Sequence, residues 1–254
     1  MKTAIITGAS KGIGRAIALR LAQDGMHVVL SARDQALLDQ AAAEIRAAGG
    51  QASVIALDLR EPAAPSRLAE FAVAQTGRID LVVSNAGATK RGEFEELTDA
   101  DFADGFALKY FGAVRLTRAA WPQLKAAKGS IIYISGIGGR TPGRQFTIGG
   151  SVNAALLSFT KAIAETGIRD GVRVNAINPG PVRTARFQSR LDAEARSSGA
   201  DAAAIEAQFV REQRIVRIGE PSDIANLVAF VASPQGSLLH GALIDMDGGS
   251  TKTI

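Results

Sequence analysis

The sequence predicts an α/β fold built on a parallel sheet covered by helices on both faces, and three observations predict it. Short apolar runs alternate with helix-forming stretches along the whole chain, the pattern of right-handed strand–helix–strand crossovers. The runs are nearly all apolar rather than alternating, as doubly covered strands should be. The first run opens into a glycine turn, Thr7-Gly8-Ala9-Ser10-Lys11-Gly12-Ile13-Gly14, which leads straight into a helical stretch.

The apolar runs fall at 4–6, 28–30, 54–57, 81–83, 131–134, 172–177 and 243–246. Helix-like stretches lie around 12–25, 34–48, 64–76, 98–127, 150–166 and 221–232. Residues 185–214 differ: Ser197-Ser198-Gly199 interrupts a polar, alanine-rich helical stretch. Polar inserts of this kind often form lids, and the segment reads as a substrate cover.

Bulk composition narrows the function. The chain has 254 residues, 46% of them hydrophobic and 21% charged, which suits one soluble domain spanning 1–254. It has no cysteine, so disulfides, thiol nucleophiles and cysteine metal sites are excluded. His27 and His240 are the two histidines; they lack metal-ligand spacing and read as structural, so no metal is expected. The first strand follows Met1-Lys2 directly, and no apolar run approaches the roughly 18 residues of a membrane span. A cytoplasmic protein with no membrane partner is therefore expected. The net charge of +4 is scattered rather than clustered, which argues against nucleic acid and for a small-molecule substrate.

Glycines let the backbone turn tightly and approach a ligand without a Cβ in the way. The N–H groups and positive dipole end of the following helix then face an anion, commonly a dinucleotide pyrophosphate. Gly8, Ser10, Lys11, Gly12, Ile13 and Gly14 are the candidate contacts. After the second run, Ser31-Ala32-Arg33 lacks the carboxylate that would bind the ribose hydroxyls of NAD. Arg33 and Lys11 instead suit a 2′-phosphate, so NADP(H) is favoured over NAD(H). Pairing of Arg33 with Asp34 or with solvent is the plainer alternative. Asp58-Leu59 follows the third run, where the carboxylate can accept from the adenine amino group or serve as an N-cap before Pro62. Asn85-Ala86-Gly87 ends the fourth run and allows close ligand approach. Asn178-Pro179-Gly180, with Val182 and Thr184 beyond it, ends the sixth and also reads as a simple turn.

These landmarks together resemble the short-chain dehydrogenase/reductase family. Thr7 to Gly14 looks like its TGxxxGxG motif, Asn85-Ala86-Gly87 like its NAG motif, and Asn178-Pro179-Gly180 like its PG motif. Asp247-Gly248-Gly249 resembles its C-terminal signature. The resemblance covers essentially the whole chain. It implies a single-domain Rossmann fold, a doubly wound seven-stranded parallel sheet, and hydride transfer with a nicotinamide cofactor. It also implies homotetramers or homodimers packed through the helices near 98–127 and 150–166.

The family's chemistry rests on a serine, a tyrosine, a lysine four residues later, and an asparagine on the preceding long helix. Matched by their neighbours, the asparagine position falls on Lys109, the serine on Gly136, the tyrosine on Gly149 and the lysine on Asn153. All four differ from the family pattern, and neither Tyr110 nor Tyr133 precedes a lysine by four. Ser135 serves only if the fifth strand slips by one residue. The two glycines imply either a wider pocket or one filled from elsewhere, by Tyr133 or by Arg144-Gln145-Phe146; they also read as relaxed loops without consequence for ligands. The ammonium and amide of the family relay are both present but exchanged between two helices. Phe102, Phe106, Lys109 and Ala113 fall on one helical stripe, which turns Lys109 inward as a candidate proton donor beside Asn153. Two alternatives remain for Lys109, a stem that reaches out to water and a pairing across an oligomer contact. Two functions follow: an oxidoreductase with a rearranged site, or a non-catalytic NADP(H)-binding sensor or partner subunit.

Overall fold

The computed structural model describes residues 1–253, without the side chains of Arg186 and Arg190. Seven strands form one sheet: β1 (Thr3–Thr7), β2 (His27–Ala32), β3 (Gln51–Ala56), β4 (Leu81–Ser84), β5 (Ser130–Ile134), β6 (Arg173–Pro179) and β7 (Leu243–Met246). Their order is β3-β2-β1-β4-β5-β6-β7, and every pairing is parallel. This is a single-domain, doubly wound Rossmann fold. The strand order reverses between β1 and β4, so a crevice opens at their carboxyl ends.

Successive strand residues point to opposite faces, and the core divides accordingly. Ala4, Ile6, Val28, Leu30, Leu81, Val83, Ile132 and Ile134 pack toward α1 (Gly12–Gln23), α2 (Gln35–Ala47) and α9 (Pro221–Ala232). Ile5, Val29, Val82, Ile131 and Tyr133 pack toward α3 (Ala64–Thr76), α5 (Gly112–Ala127) and α6 (Thr147–Asp170). Burial on both faces explains why the runs read as continuously apolar. No helix among the described residues is long and apolar enough to cross a membrane. His27 Nε2 meets Ser53 Oγ at 2.9 Å, and His240 Nε2 donates to Ala164 O at 2.7 Å, so both imidazoles are tied into the fold.

The stretch 98–127 is not one continuous helix. A capping box of Thr98 and Asp101 opens α4 (Asp99–Gly105), a π-helical turn follows at Phe106–Phe111, and α5 completes it. The chain presses on a neighbour at each end of that turn. A Cβ on Gly105 would lie 2.6 Å from Ile148 Cγ2, and one on Gly112 would lie 3.3 Å from Leu59 O. Lys109 sits inside this turn. Such turns cluster at functional sites.

The amino end of the sheet is knit by polar groups. Arg173, half-buried, donates to Val231 O at 2.7 Å, Ala232 O at 3.1 Å and Gly236 O at 3.0 Å, capping the carboxyl end of α9. Asp80 accepts from Thr3 N at 2.8 Å and takes both arms of Arg78.

At the switch point, Asn85 Nδ2 donates to Thr7 O at 3.0 Å and Gly8 O at 3.3 Å. Asn85→Ala is expected to lower stability by about 1–3 kcal/mol, the cost of unpaired backbone acceptors. Asn85→Asp gives no rescue, since a carboxylate cannot donate. Urea unfolding followed by circular dichroism measures both.

Candidate active site

The glycine turn joins β1 to α1. Gly8 and Gly12 hold φ of 65° and 57°, conformations that side chains rarely adopt. A Cβ on Gly14 would lie 2.2 Å from Gly8 O, so only a bare backbone closes the turn. Thr7 Oγ1 accepts from Asn85 N at 3.0 Å and Ala86 N at 2.9 Å, fastening the end of β4 onto it. Lys11 is the N-cap of α1, and its side chain makes no capping bond. The leading N–H groups of α1 therefore face the crevice with Ser10 and Ile13 half-buried beside them.

Arg33 is exposed just past β2. Asp34 does not occupy it: Asp34 Oδ1 caps α2 by accepting from Leu37 N at 3.1 Å. Of the two readings of Asp58, the N-cap is corrected, because α3 is capped at Ala63 and Asp58 Oδ1 accepts from Arg60 N at 3.0 Å instead. The carboxylate is held by its own loop, five residues short of the cap. Leu59 is buried beside it. The Arg60 guanidinium, with Arg33 adding at longer range, holds the Asp104 carboxyl below the usual carboxylate range.

The candidate catalytic residues meet beyond β4 and β5. The Lys109 stem crosses Gly87, where a Cβ would sit 2.9 Å from Lys109 Cδ. Its Nζ donates to Asn153 Oδ1 at 2.6 Å and to Ser135 O at 2.6 Å. Asn153 is buried on α6. With Oδ1 turned to Lys109, its Nδ2 faces Gly136, where a Cβ would lie 3.0 Å away. Gly136 has a φ of 150°, so a serine there would be strained. Ser135 Oγ points elsewhere, donating to Asn153 O at 3.2 Å.

Tyr133 does not fill the space beside the glycines. It is fully buried on the α3–α5–α6 face of the sheet, with its hydroxyl 2.6 Å from Thr117 Oγ1, and burial pushes its phenol well above the ordinary value. Strand alternation sends it to the face opposite Ile132 and Ile134. Tyr110 packs edge-on against Phe106, Phe111 and Phe159. Phe146 is the residue that reaches Gly149, from a short 3-10 turn at Arg144–Phe146. The sequence signal for it is spacing: Phe146 stands three residues before Gly149, one helical turn away.

Pro179 ends β6, and Gly180 N donates to Met246 O at 3.1 Å. Val182 is buried, and a Cβ on Gly12 would lie 3.3 Å from Thr184 Cγ2, so Thr184 overhangs the glycine turn. Residues 185–214 contain α7 (Ala185–Ser198) and α8 (Ala202–Gln213), separated at Gly199 with φ 68°. The rings of Phe187 and Phe209 pack edge-on at 5.3 Å between them. Arg183 grips both Glu206 oxygens at 2.7 Å and Glu220 at 2.9 Å. The sequence reading missed this clamp, and also the chain Arg140–Asp245–Asn178 at the ends of β6 and β7, with contacts of 2.8 Å each. Charges scattered along the sequence carry no signal of such pairings. A cleft of about 330 Å³ lined by Lys2, Ser130 and Arg173 lies at the opposite end of the strands. Among the described residues no three metal-ligating side chains cluster.

A family described as enoyl-(acyl carrier protein) reductase matches residues 8–251. An uncharacterized oxidoreductase of Mycobacterium tuberculosis is 39% identical over 252 residues, covering 98% of this chain and 92% of that protein. The L-sorbose reductase of Gluconobacter frateurii, solved with NADPH and L-sorbose, superposes with a TM-score of 0.96 at 32% identity, covering 100% and 97% of the two chains. A short chain oxidoreductase of Pseudomonas aeruginosa PAO1, solved with NADPH and described as containing an atypical catalytic center, gives 0.92 at 28% identity over 100% and 98%. The chain belongs to the short-chain dehydrogenase/reductase family. It is an oxidoreductase of that type.

The Arg183 clamp makes α8 pH-sensitive. Hydrogen bonds from Arg183 hold the Glu206 carboxyl below its ordinary value. A lowered folded pKa means the contribution is full above the ordinary glutamate value of roughly 4.3 and is lost as pH falls through the folded value. Amide exchange across α8, corrected for intrinsic rate, should therefore accelerate in that acid range. Glu206→Gln should exchange fast at every pH; an unchanged acid step in that variant would sink the assignment.

Proposed function

We propose that the chain is an NADP(H)-dependent oxidoreductase acting on a small carbonyl or alcohol substrate, with Lys109 and Asn153 in place of the family's serine, tyrosine and lysine. The observation that carries this is the contact of Lys109 Nζ with Asn153 Oδ1 at 2.6 Å. It unites on the candidate site the two polar groups that the sequence exchanges between helices.

The residues present fit a dinucleotide. The cradle at Gly8, Gly12 and Gly14 is one that any Cβ would fill, and α1 turns its leading N–H groups toward it. A bound nicotinamide supplies or accepts the hydride. Ser10 and Ile13 line the pyrophosphate, Asp58 and Leu59 the adenine, and Asn85, Ala86 and Gly87 the inner ribose. Pro179, Gly180, Val182 and Thr184 flank the nicotinamide. Lys11 and Arg33 take the 2′-phosphate, with no carboxylate at Ser31 or Ala32 to oppose it.

Lys109 then hydrogen-bonds the substrate oxygen and transfers the proton from Nζ as that oxygen gains negative charge. Asn153 Oδ1 and Ser135 O hold the amine in place through the step. Residues 185–214 cover the substrate, with the Phe187–Phe209 contact closing α7 on α8. Copies of the chain associate as homodimers or homotetramers through α5 and α6. The Pseudomonas aeruginosa relative, an NADPH-bound member with an atypical centre, supports the reading.

Two measurements test it. NADPH should bind more tightly than NADH, and Arg33→Ala should remove most of the difference, roughly ten- to a hundredfold. Equal affinities in the wild type would remove the basis for the 2′-phosphate assignment. Turnover is then followed against ketones, aldehydes and alcohols. Lys109→Met should lower kcat at least tenfold while leaving NADPH affinity within a few fold; binding of NADPH with no turnover in the wild type favours a non-catalytic partner subunit instead.

A further inference from the structure

Phe146 occupies a slot that the chain's glycines leave open. A Cβ on Gly149 would lie 2.0 Å from both Cε2 and Cζ of the ring, and a Cβ on Gly138 would lie 2.7 Å from Cε1. No real Cβ tolerates such distances, so ring and side chains exclude one another. The Arg91 guanidinium stacks on the ring, 4.0 Å from its centroid. The turn that carries Phe146 is held to the loop after β4. Glu93 Oε1 accepts from Arg144 at 3.0 Å and from Gln145 at 2.7 Å, and Gly92 N donates to Gln145 O at 3.3 Å. Asn153 Nδ2 lies 3.6 Å from the same hypothetical Gly138 Cβ, so the ring and the amide flank one backbone point.

We propose that Phe146 is a positioning and specificity-determining residue. Its ring takes the volume that a side chain at 149 would need, walls the Lys109–Asn153 pair from water, and gives the substrate pocket an apolar side there. The consequence is directional. While Phe146 is seated, no phenol can be presented from position 149, which leaves the proton-donor role to Lys109 across the site. Substrates with an apolar group beside the reacting carbon fit this wall, and those with a cationic group there do not, because the only charge the structure places at the ring among the described residues is the Arg91 guanidinium. The inference rests on the reading of Lys109 and Asn153 as the reacting pair only for its catalytic part; the exclusion between 146 and 149 stands on geometry alone.

The steric part is tested by thermal unfolding of Gly149→Ala, Phe146→Ala and the double variant. A glycine-to-alanine change inside a helix ordinarily stabilises. Here Gly149→Ala should lower Tm by roughly 2–4 °C or more, given a cost above about 1 kcal/mol in a chain of this size. The double variant should melt higher than the sum of the two single changes. A neutral or stabilising Gly149→Ala, or strict additivity, overturns the exclusion. The functional part is read from NADPH fluorescence, whose emission reports water at the nicotinamide. Phe146→Ala should lose the blue shift of the bound cofactor while NADP⁺ affinity stays within a few fold, and Phe146→Leu should restore part of the shift. An unchanged emission in Phe146→Ala overturns the wall. If the wild type binds no NADPH, the proposed function fails while the melting data still decide the exclusion.

Discussion

The absence of a side chain at Gly14 is the constraint on which the rest of the site depends. Gly14 packs so closely on Gly8 O that a single methyl would force β1 and α1 apart. That approach lets Asn85 reach across from β4 and bond the turn's carbonyls, which fixes the switch point where the sheet order reverses. The loop after β4 starts from that knot. Gly87 follows it by two residues, and the Lys109 stem rests on Gly87. A movement of the glycine turn would therefore be felt at the amine.

The sheet was legible because burial on both faces leaves a continuous apolar imprint, which polar turns at the carboxyl ends punctuate. Every strand and most helices sit where the periodicity put them. The π-helical turn at Phe106–Phe111 was not legible, since a one-residue widening leaves the residue types unchanged. The contact of Lys109 with Asn153 was readable as an exchange of residue types between two helices, but its second anchor, Ser135 O, was not: a backbone carbonyl has no signature in sequence. Phe146 was one of two fillers the sequence offered, and strand parity at Tyr133 decides between them. Arg183 and its two glutamates, far apart along the chain, belong to the same class of features that tertiary packing alone assembles.

The contact between Lys109 and Asn153 shows how two neighbouring segments share one point in space. α5 and α6 lie side by side on one face of the sheet, and a group on either one can reach the same point in space. The lysine stem is long and flexible, so an ammonium rooted in the π turn covers a distance that a short amide cannot. Placing the short amide on the buried helix and the long amine on the half-buried one satisfies both burial and reach.

Arg173 gives the fold a further property. Its guanidinium ties β6 to the last carbonyls of α9 at the end of the sheet away from the glycine turn, and Asp80 ties β1 to β4 at the same end. Polar ties of this kind hold the strands at their starting points as well as at the glycine turn, and the candidate site lies only at their finishing points. The two demands fall on different residues of the same strands. Substitutions at the carboxyl ends of the strands therefore leave the contacts of Arg173 and Asp80 at the opposite pole untouched.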